Sequence, residues 1–179
     1  MENPFTLFGF APTFEINEQQ LASTFRNLQR VVHPDRYANS SDQERRSAVE
    51  RAAAVNDAYQ LLRNPLRRAR YLLSLRGVET QEEGNTVMDS EFLTEQMELR
   101  ERLAEVHEVN DPENILMEMK DTLQKRRSIL LIELAECLRI DTQESLIKAA
   151  EIVRRLRFFD RLVEETTLLE ERYLDSMFS

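Results

Sequence analysis

Three glycines in 179 residues, at positions 9, 77 and 84, leave this chain almost without the residues that tight strand turns require, and its five prolines add few further breaks. Leucine, glutamate, arginine and alanine are abundant and fall in helix-period patterns throughout. The expected class is therefore all-α, with no β-sheet. The length suits one domain or two small ones and is enough to bury a real core.

Pro34 sets the first break that matters. Proline fixes φ, lacks a donor N–H and pushes the preceding residue out of the α region, so His33 should be extended and the chain should turn there. Upstream, Leu21, Phe25, Leu28 and Val32 fall at i, i+4, i+7 and i+11. Downstream, Ala48, Ala52, Val55, Tyr59 and Leu62 follow i, i+4, i+7, i+11 and i+14. Two amphipathic helices joined by a loop make an antiparallel hairpin. A Pro-Asp pair between helices is most often simply a turn. In this loop it sits beside His33, with Arg26, Arg30 and Arg36 on either side, which suits a contact site better than a core.

The arrangement resembles the J-domain of DnaJ-type co-chaperones. Phe25-Arg26-x-Leu28 precedes His33-Pro34-Asp35, and Val55-Asn56-x-Ala58-Tyr59-x-x-Leu62 follows on the second helix. The resemblance implies that His33, Pro34 and Asp35, with the basic residues Arg26, Arg30 and Arg36, dock onto a DnaK-type chaperone and stimulate its ATP hydrolysis.

Further along, Asn17 is expected to cap the helix beginning at Glu18, and the cluster Asn39-Ser40-Ser41-Asp42 offers caps for the second long helix. Asn64-Pro65 signals a third start, with Leu66, Ala69, Leu72 and Leu73 as its apolar face and Gly77 as its stop. The run Pro65-Leu66-x-Arg68-Ala69-x-Tyr71-Leu72-Leu73-x-Leu75-x-Gly77 is similar to the HscB branch of J-type co-chaperones, which serves iron-sulfur cluster assembly. Residues 78–87, Glu-rich and without periodicity, read as a linker between a J-domain at 1–77 and a second domain at 88–179. Start signals at Asp89, Asp111-Pro112 and Asp141-x-x-Glu144, the last resembling a capping box, predict three helices in an antiparallel bundle.

Charge supports two modules. Residues 1–76 carry 11 Lys+Arg against 8 Asp+Glu and residues 77–179 carry 13 against 25, net +3 and −12. An acidic module of that kind would repel phosphates, so no nucleic-acid partner is expected. Cys137 is the only cysteine and two distant histidines give no zinc spacing, so neither a disulfide nor a metal or other cofactor is expected. No membrane span or basic-apolar leader is visible, and the expected location is the cytoplasm.

In the second domain the apolar residues out of register are the informative ones. Phe92, Leu99, Leu103 and Val106 share a face, whereas Leu93 and Met97 stand about a third of a turn away. In the last helix Ala149, Val153, Leu156 and Val163 share a face and Phe158 points to nearly the opposite side. Either the buried stripe is wide enough to hold Leu93 and Met97, or they and Phe158 form an exposed patch for a protein partner.

The blocks Phe92-Leu93-x-Glu95-Gln96-Met97-Glu98-Leu99-Arg100-Glu101 and Val153-Arg154-x-Leu156-Arg157-Phe158-x-Asp160-x-Leu162 resemble the HscB segments that bind the iron-sulfur scaffold IscU. That resemblance implies Leu93, Met97 and Phe158 as apolar contacts with Glu95 and Arg100 around them, and HscA as the chaperone partner. The single cysteine favours a bacterial-type member over eukaryotic relatives with a paired-cysteine extension.

An enzyme is not expected. His33 and Asp35 could serve as a general base pair or as metal ligands, but no nucleophile or oxyanion donor accompanies them. The stronger alternative is a J-domain co-chaperone for a different client, with the acidic bundle as a generic binding or dimerisation module.

Overall fold

The computed structural model describes residues 3–33, 37, 41–80, 90–109 and 111–177. The described residues hold seven α-helices and no strand: α1 (Pro4–Leu7), α2 (Glu18–Val32), α3 (Asp42–Arg63), α4 (Pro65–Leu75), α5 (Ser90–Ala104), α6 (Pro112–Ile140) and α7 (Gln143–Met177). A 3-10 turn, Glu105–Glu108, follows α5. The all-α expectation is met. None of these helices is long and apolar enough to cross a membrane.

Local chemistry explains where each helix starts. Asn17 accepts from the Gln20 backbone N–H at 2.9 Å, and Asn64 accepts from Arg67 N at 3.0 Å with Pro65 in the first helical position. Both satisfy a backbone donor that a helix start would otherwise leave unpaired. Ser41 opens α3 with a complete capping box: its hydroxyl accepts from Glu44 N, and the Glu44 carboxylate accepts from Ser41 Oγ and N. Those bonds hold the Glu44 carboxyl below its ordinary value. The box is therefore intact above the unfolded carboxylate range and is lost as pH falls through the lowered pKa.

Stops are equally readable. Gly77, at φ +73°, ends α4 with Val78 N bonding Leu73 O at 2.9 Å and Gly77 N bonding Ser74 O at 3.1 Å. That pair of bonds is a Schellman motif, which glycine enters without a Cβ penalty.

The chain forms two compact units, Met1–Glu79 with Leu134–Ala150, and Thr80–Glu133 with Glu151–Ser179. In the first, α2 and α3 run antiparallel: Phe25 stacks on Tyr59 with ring centroids 3.9 Å apart, while one turn on Gln29 Nε2 donates to Asn56 Oδ1 at 3.1 Å. α1 closes the base of this hairpin, with Phe8 stacked on Tyr59, Phe5 stacked on Tyr71 of α4, and both phenylalanines buried. Leu21, Val55, Leu62, Leu72 and Leu73 complete the core. Arg68 is buried beneath it, donating to Leu62 O and lying 5.0 Å from the centre of the Phe14 ring. Burial pulls its pKa down, against the opposing pull of Glu18.

The expected division at 1–77, 78–87 and 88–179 follows the chain, whereas the compact units do not. Leu134–Ala150, the end of α6 and the start of α7, groups with the N-terminal residues. Arg76 shows why: its Nε pairs with Asp141 Oδ1 at 2.9 Å and its Nη1 donates to Leu138 O at 3.2 Å. Most of the linker, 81–87, and the Asp89 cap lie outside the described residues.

Asp141 also has a different local role from the one its spacing suggested. It stands at φ +60°, its N–H reaching Cys137 O at 3.3 Å, and so terminates α6 in a left-handed position that aspartate tolerates better than most residues. The cap of α7 falls one residue later. Thr142 N donates to Ser145 Oγ at 2.9 Å and Ser145 N donates to Thr142 Oγ1 at 3.2 Å, a reciprocal cap in which Glu144 has no part. Replacing Arg76 with alanine is expected to lower the unfolding free energy by about 1–2 kcal/mol. A urea midpoint equal to the parent's would show that this contact contributes nothing.

In the second unit α5 and α6 run antiparallel, with Glu95 paired to Arg126 at 3.3 Å and Arg102 to Glu118 at 3.9 Å. α6 and α7 do the same, with Arg127 paired to Asp160 at 2.6 Å and Lys120 to Glu170 at 2.7 Å. Phe92, Leu103, Leu116, Met119, Leu123, Leu156, Phe159 and Leu162 are buried between them. This matches the antiparallel three-helix arrangement expected from the start signals.

Candidate functional site

At the end of α2, His33 is exposed and extended, with φ −60° and ψ +125°, as the proline after it requires. Arg26, Arg30 and His33 lie at i, i+4 and i+7, so the three exposed side chains share one stripe of the helix and its end. Pro34, Asp35 and Arg36 lie outside the described residues. Beyond them Tyr37 is half-buried, with the Arg51 guanidinium of α3 5.6 Å from its ring centre.

The second candidate surface is on α5 and α7. Phe92 is buried and Leu93 and Met97 are 42% and 63% exposed, so the helix does not bury a stripe wide enough to take them. Arg100 follows on the same flank, exposed, with its guanidinium carbon 5.9 Å from the centre of the Phe158 ring. Leu99, expected in the buried set, is only half-buried.

Phe158 does not face water as the helical wheel suggested. It is half-buried, edge-on to Phe92 at 5.7 Å and to Phe159 at 5.4 Å between ring centres. The buried arc of α7 is broader than the wheel allowed, because Ile152, Phe159, Leu162 and Thr166 are buried together with Val153 and Leu156. Val163, placed by the wheel in that core, is half-buried. The ring of Phe158 therefore forms the edge of an aromatic cluster, and the rings of Phe92 and Phe159 behind it are part of what positions it.

Glu95 is not brought together with the apolar pair. It lies about 160° around α5 from Leu93 and pairs with Arg126 across a cleft of about 720 Å³ that Glu91, Glu98, Arg102 and Arg155 also line. The result is a helix with two unlike flanks. One is apolar with a cation and an aromatic edge, and the other is polar and engaged with α6. Among the described residues no group of three or more His, Cys, Asp or Glu side chains is arranged to hold a metal.

A flank of exposed Leu and Met edged by Phe and Arg is the composition of a protein-docking surface, and comparison with known proteins gives its context. A family model described as the HSCB C-terminal oligomerisation domain matches residues 88–167. The chain is 44% identical over 173 residues to the co-chaperone protein HscB homolog of Shewanella oneidensis, covering 97% of this chain and 99% of that one. The chain belongs to the HscB co-chaperone family. Its HscB homolog in Shewanella sp. strain MR-4 is 43% identical over the same shares of the two chains. Among solved structures, chaperone HscB from Vibrio cholerae superposes with a TM-score of 0.84 at 41% identity, covering 96% of this chain and 99% of that one. Human co-chaperone protein HscB superposes with a TM-score of 0.86 at 29% identity, covering 95% and 83%. The HscB resemblance noted in the sequence, and the helical fold it implied, are thereby shown. The relatives are named as co-chaperones, not as enzymes.

Proposed function

We propose that this protein stimulates ATP hydrolysis by a DnaK-type chaperone of the HscA kind and delivers the scaffold protein IscU to it, assisting iron-sulfur cluster transfer and the maturation of iron-sulfur proteins. The observation that carries this reading is membership of the HscB family over 97% of the chain. The chaperone contact is assigned to His33, Pro34 and Asp35 with Arg26, Arg30 and Arg36. The scaffold contact is assigned to Leu93, Met97 and Phe158 with Arg100 beside them. Glu95 belongs to the scaffold site only if the partner reaches round α5. No cofactor or catalytic residue takes part, and the cytoplasm is the proposed location.

Two observations support the assignment. His33 stands exposed at the corner of the α2–α3 hairpin, in line with two arginines, where a partner can reach all three at once. Leu93 and Met97 are exposed on the bundle although both are apolar. A scaffold pull-down by the full chain, with and without chaperone, tests the delivery step. Recovery of unfolded chains but not of scaffold would favour the alternative of a J-type co-chaperone for another client. The description of residues 88–167 as an oligomerisation domain favours one further property, self-association, alongside either client.

Steering by charge gives a separate prediction. Arg26→Ala and Arg30→Ala should each weaken chaperone stimulation at low salt, with the deficit shrinking as salt is raised past about 0.15 M and the Debye length falls below about 8 Å. ATPase stimulation measured across a salt series checks this. Losses independent of salt would count against a steering role.

A further inference from the structure

The flank of α5 that carries Leu93 and Met97 does not end with them. Leu93, Met97, Arg100 and Ala104 are spaced i, i+4, i+7 and i+11, within an arc of about 60° on the helix. α7 runs parallel to α5 beside this stripe. The Arg155 guanidinium lies 5.1 Å from the Phe92 ring centre near the start of α5, whereas Leu103 and Val106, at and just past its end, share a pocket with Leu169 and Tyr173. On α7, Phe158, Glu165 and Leu169 fall within an arc of about 40°. The two stripes bound one groove. Arg100 joins its two parts, with its guanidinium 5.9 Å from the Phe158 ring centre and its side chain in the wall of the pocket. All of these residues belong to one compact unit.

The bundle core does not fill this pocket, whose volume is about 350 Å³. That is at the lower end of the range of about 300–1,000 Å³ typical of ligand pockets, room for a large side chain. Leu103 and Val106 are buried at its floor, Leu169 and Tyr173 are half-buried in its walls, and Ala104 and Glu165 are exposed at its rim. We propose that the scaffold contact continues past Arg100 into this pocket, which takes one large apolar side chain of the scaffold protein with a basic residue next to it. The inference rests on the reading of Leu93 and Met97 as scaffold contacts and adds a second anchor to it. From Leu93 to Ala104 is about 16 Å along the helix, a length that one surface element of a partner spans. A recess with an apolar floor is where an anchoring side chain is desolvated most completely, and such anchors dominate the energy of an interface.

Charge selects what accompanies the anchor. The compact unit that holds the groove carries 11 Lys+Arg against 21 Asp+Glu, net −10. A field of that sign steers a basic surface towards it and turns an acidic one away. Inside the groove Arg100 is engaged with the Phe158 ring, and Glu165 is the carboxylate of the pocket. A lysine or arginine beside the anchoring side chain meets Glu165, whereas an acidic neighbour is repelled by it.

The test is titration calorimetry of the full chain against the purified scaffold protein, at low and at high salt. Ala104 is exposed and has ordinary helical dihedrals, φ −66° and ψ −35°, so Ala104→Trp fills the pocket from its rim without entering the core. It should weaken scaffold binding by about tenfold or more. Glu165→Lys should weaken binding by about tenfold at low salt and by less as salt is raised, because it sets a like charge against the partner's basic residue. Both variants should melt with the parent and leave chaperone stimulation in the absence of scaffold unchanged, as exposed positions far from the α2 stripe do. Should Ala104→Trp melt below the parent, Glu165→Lys decides alone. Pocket variants that bind as tightly as the parent, beside a Leu93→Ala, Met97→Ala chain that binds weakly, overturn the pocket and keep the scaffold contact on the flank. A parent that does not bind the scaffold overturns both.

Discussion

His33→Gln is expected to reduce stimulation of the partner chaperone's ATPase to near its basal level while leaving the melting temperature and helicity of this protein unchanged. The backbone argument is direct. His33 is exposed, caps the C-terminal end of α2, and has φ and ψ in the extended region open to any L residue. Glutamine can take that conformation without strain, and substitutions at exposed positions usually change stability by less than about 0.5 kcal/mol. A side chain that anchors a contact contributes about 2 kcal/mol or more, a loss of roughly 30-fold in affinity. Single-turnover ATPase measurements with the chaperone at a fixed low concentration would register it. Were His33→Gln to melt well below the parent, the residue would be holding the hairpin corner together, and the chaperone contact would have to be sought along Arg26 and Arg30.

Much of this fold is legible in the sequence because helix ends are written in local chemistry. Asn17, Asn64-Pro65, Gly77 and Asp111-Pro112 each act within four residues of themselves, and each acts where its type suggests, Asp111 accepting from Asn114 N at 3.2 Å. Asp141 shows the limit of that reading. A spacing rule sees an acid three residues before another acid, but φ at Asp141 and its ion pair with Arg76, 65 positions away, make it the end of one helix and leave the cap of the next to Thr142.

Phe158 shows a second limit. A wheel centred on Ala149, Val153 and Leu156 assumes that one face is buried along the whole helix. Ala149 groups with the first compact unit, and from Glu151 onward α7 packs in the second, with Phe159 and Leu162 inside. The buried arc turns along the helix, and Phe158 lies at its margin. Periodicity reports which way a side chain points relative to its own axis, but not how many neighbours that axis has. The same reasoning explains why Leu93 and Met97 could not be decided from spacing and why Glu95, read as one of their neighbours, turns instead to Arg126.

That distinction reshapes the expected outcome at the scaffold surface. The double substitution Leu93→Ala with Met97→Ala removes two exposed side chains, so it should leave the melting temperature within a degree or two of the parent, as surface changes do. If the pair anchors the scaffold, with about 2 kcal/mol or more lost at each, binding should fall by a factor of several hundred or more. Stimulation of the chaperone in the absence of scaffold should be preserved, because the stripe of Arg26, Arg30 and His33 is untouched.

Phe158→Ala is expected to behave differently. Its ring packs edge-on against two other phenylalanines beneath the Arg100 guanidinium, so its loss should both weaken scaffold binding and lower stability by roughly 1–3 kcal/mol, less than truncation of a fully buried aromatic. Titration calorimetry against the purified scaffold, run beside thermal unfolding of each variant, separates the two effects. A Leu93→Ala, Met97→Ala chain that binds as tightly as the parent would remove the scaffold site from this flank of α5, whatever Phe158→Ala does. One that binds weakly while melting with the parent would fix the site on the flank and leave Phe158 as the ring that holds its edge in shape.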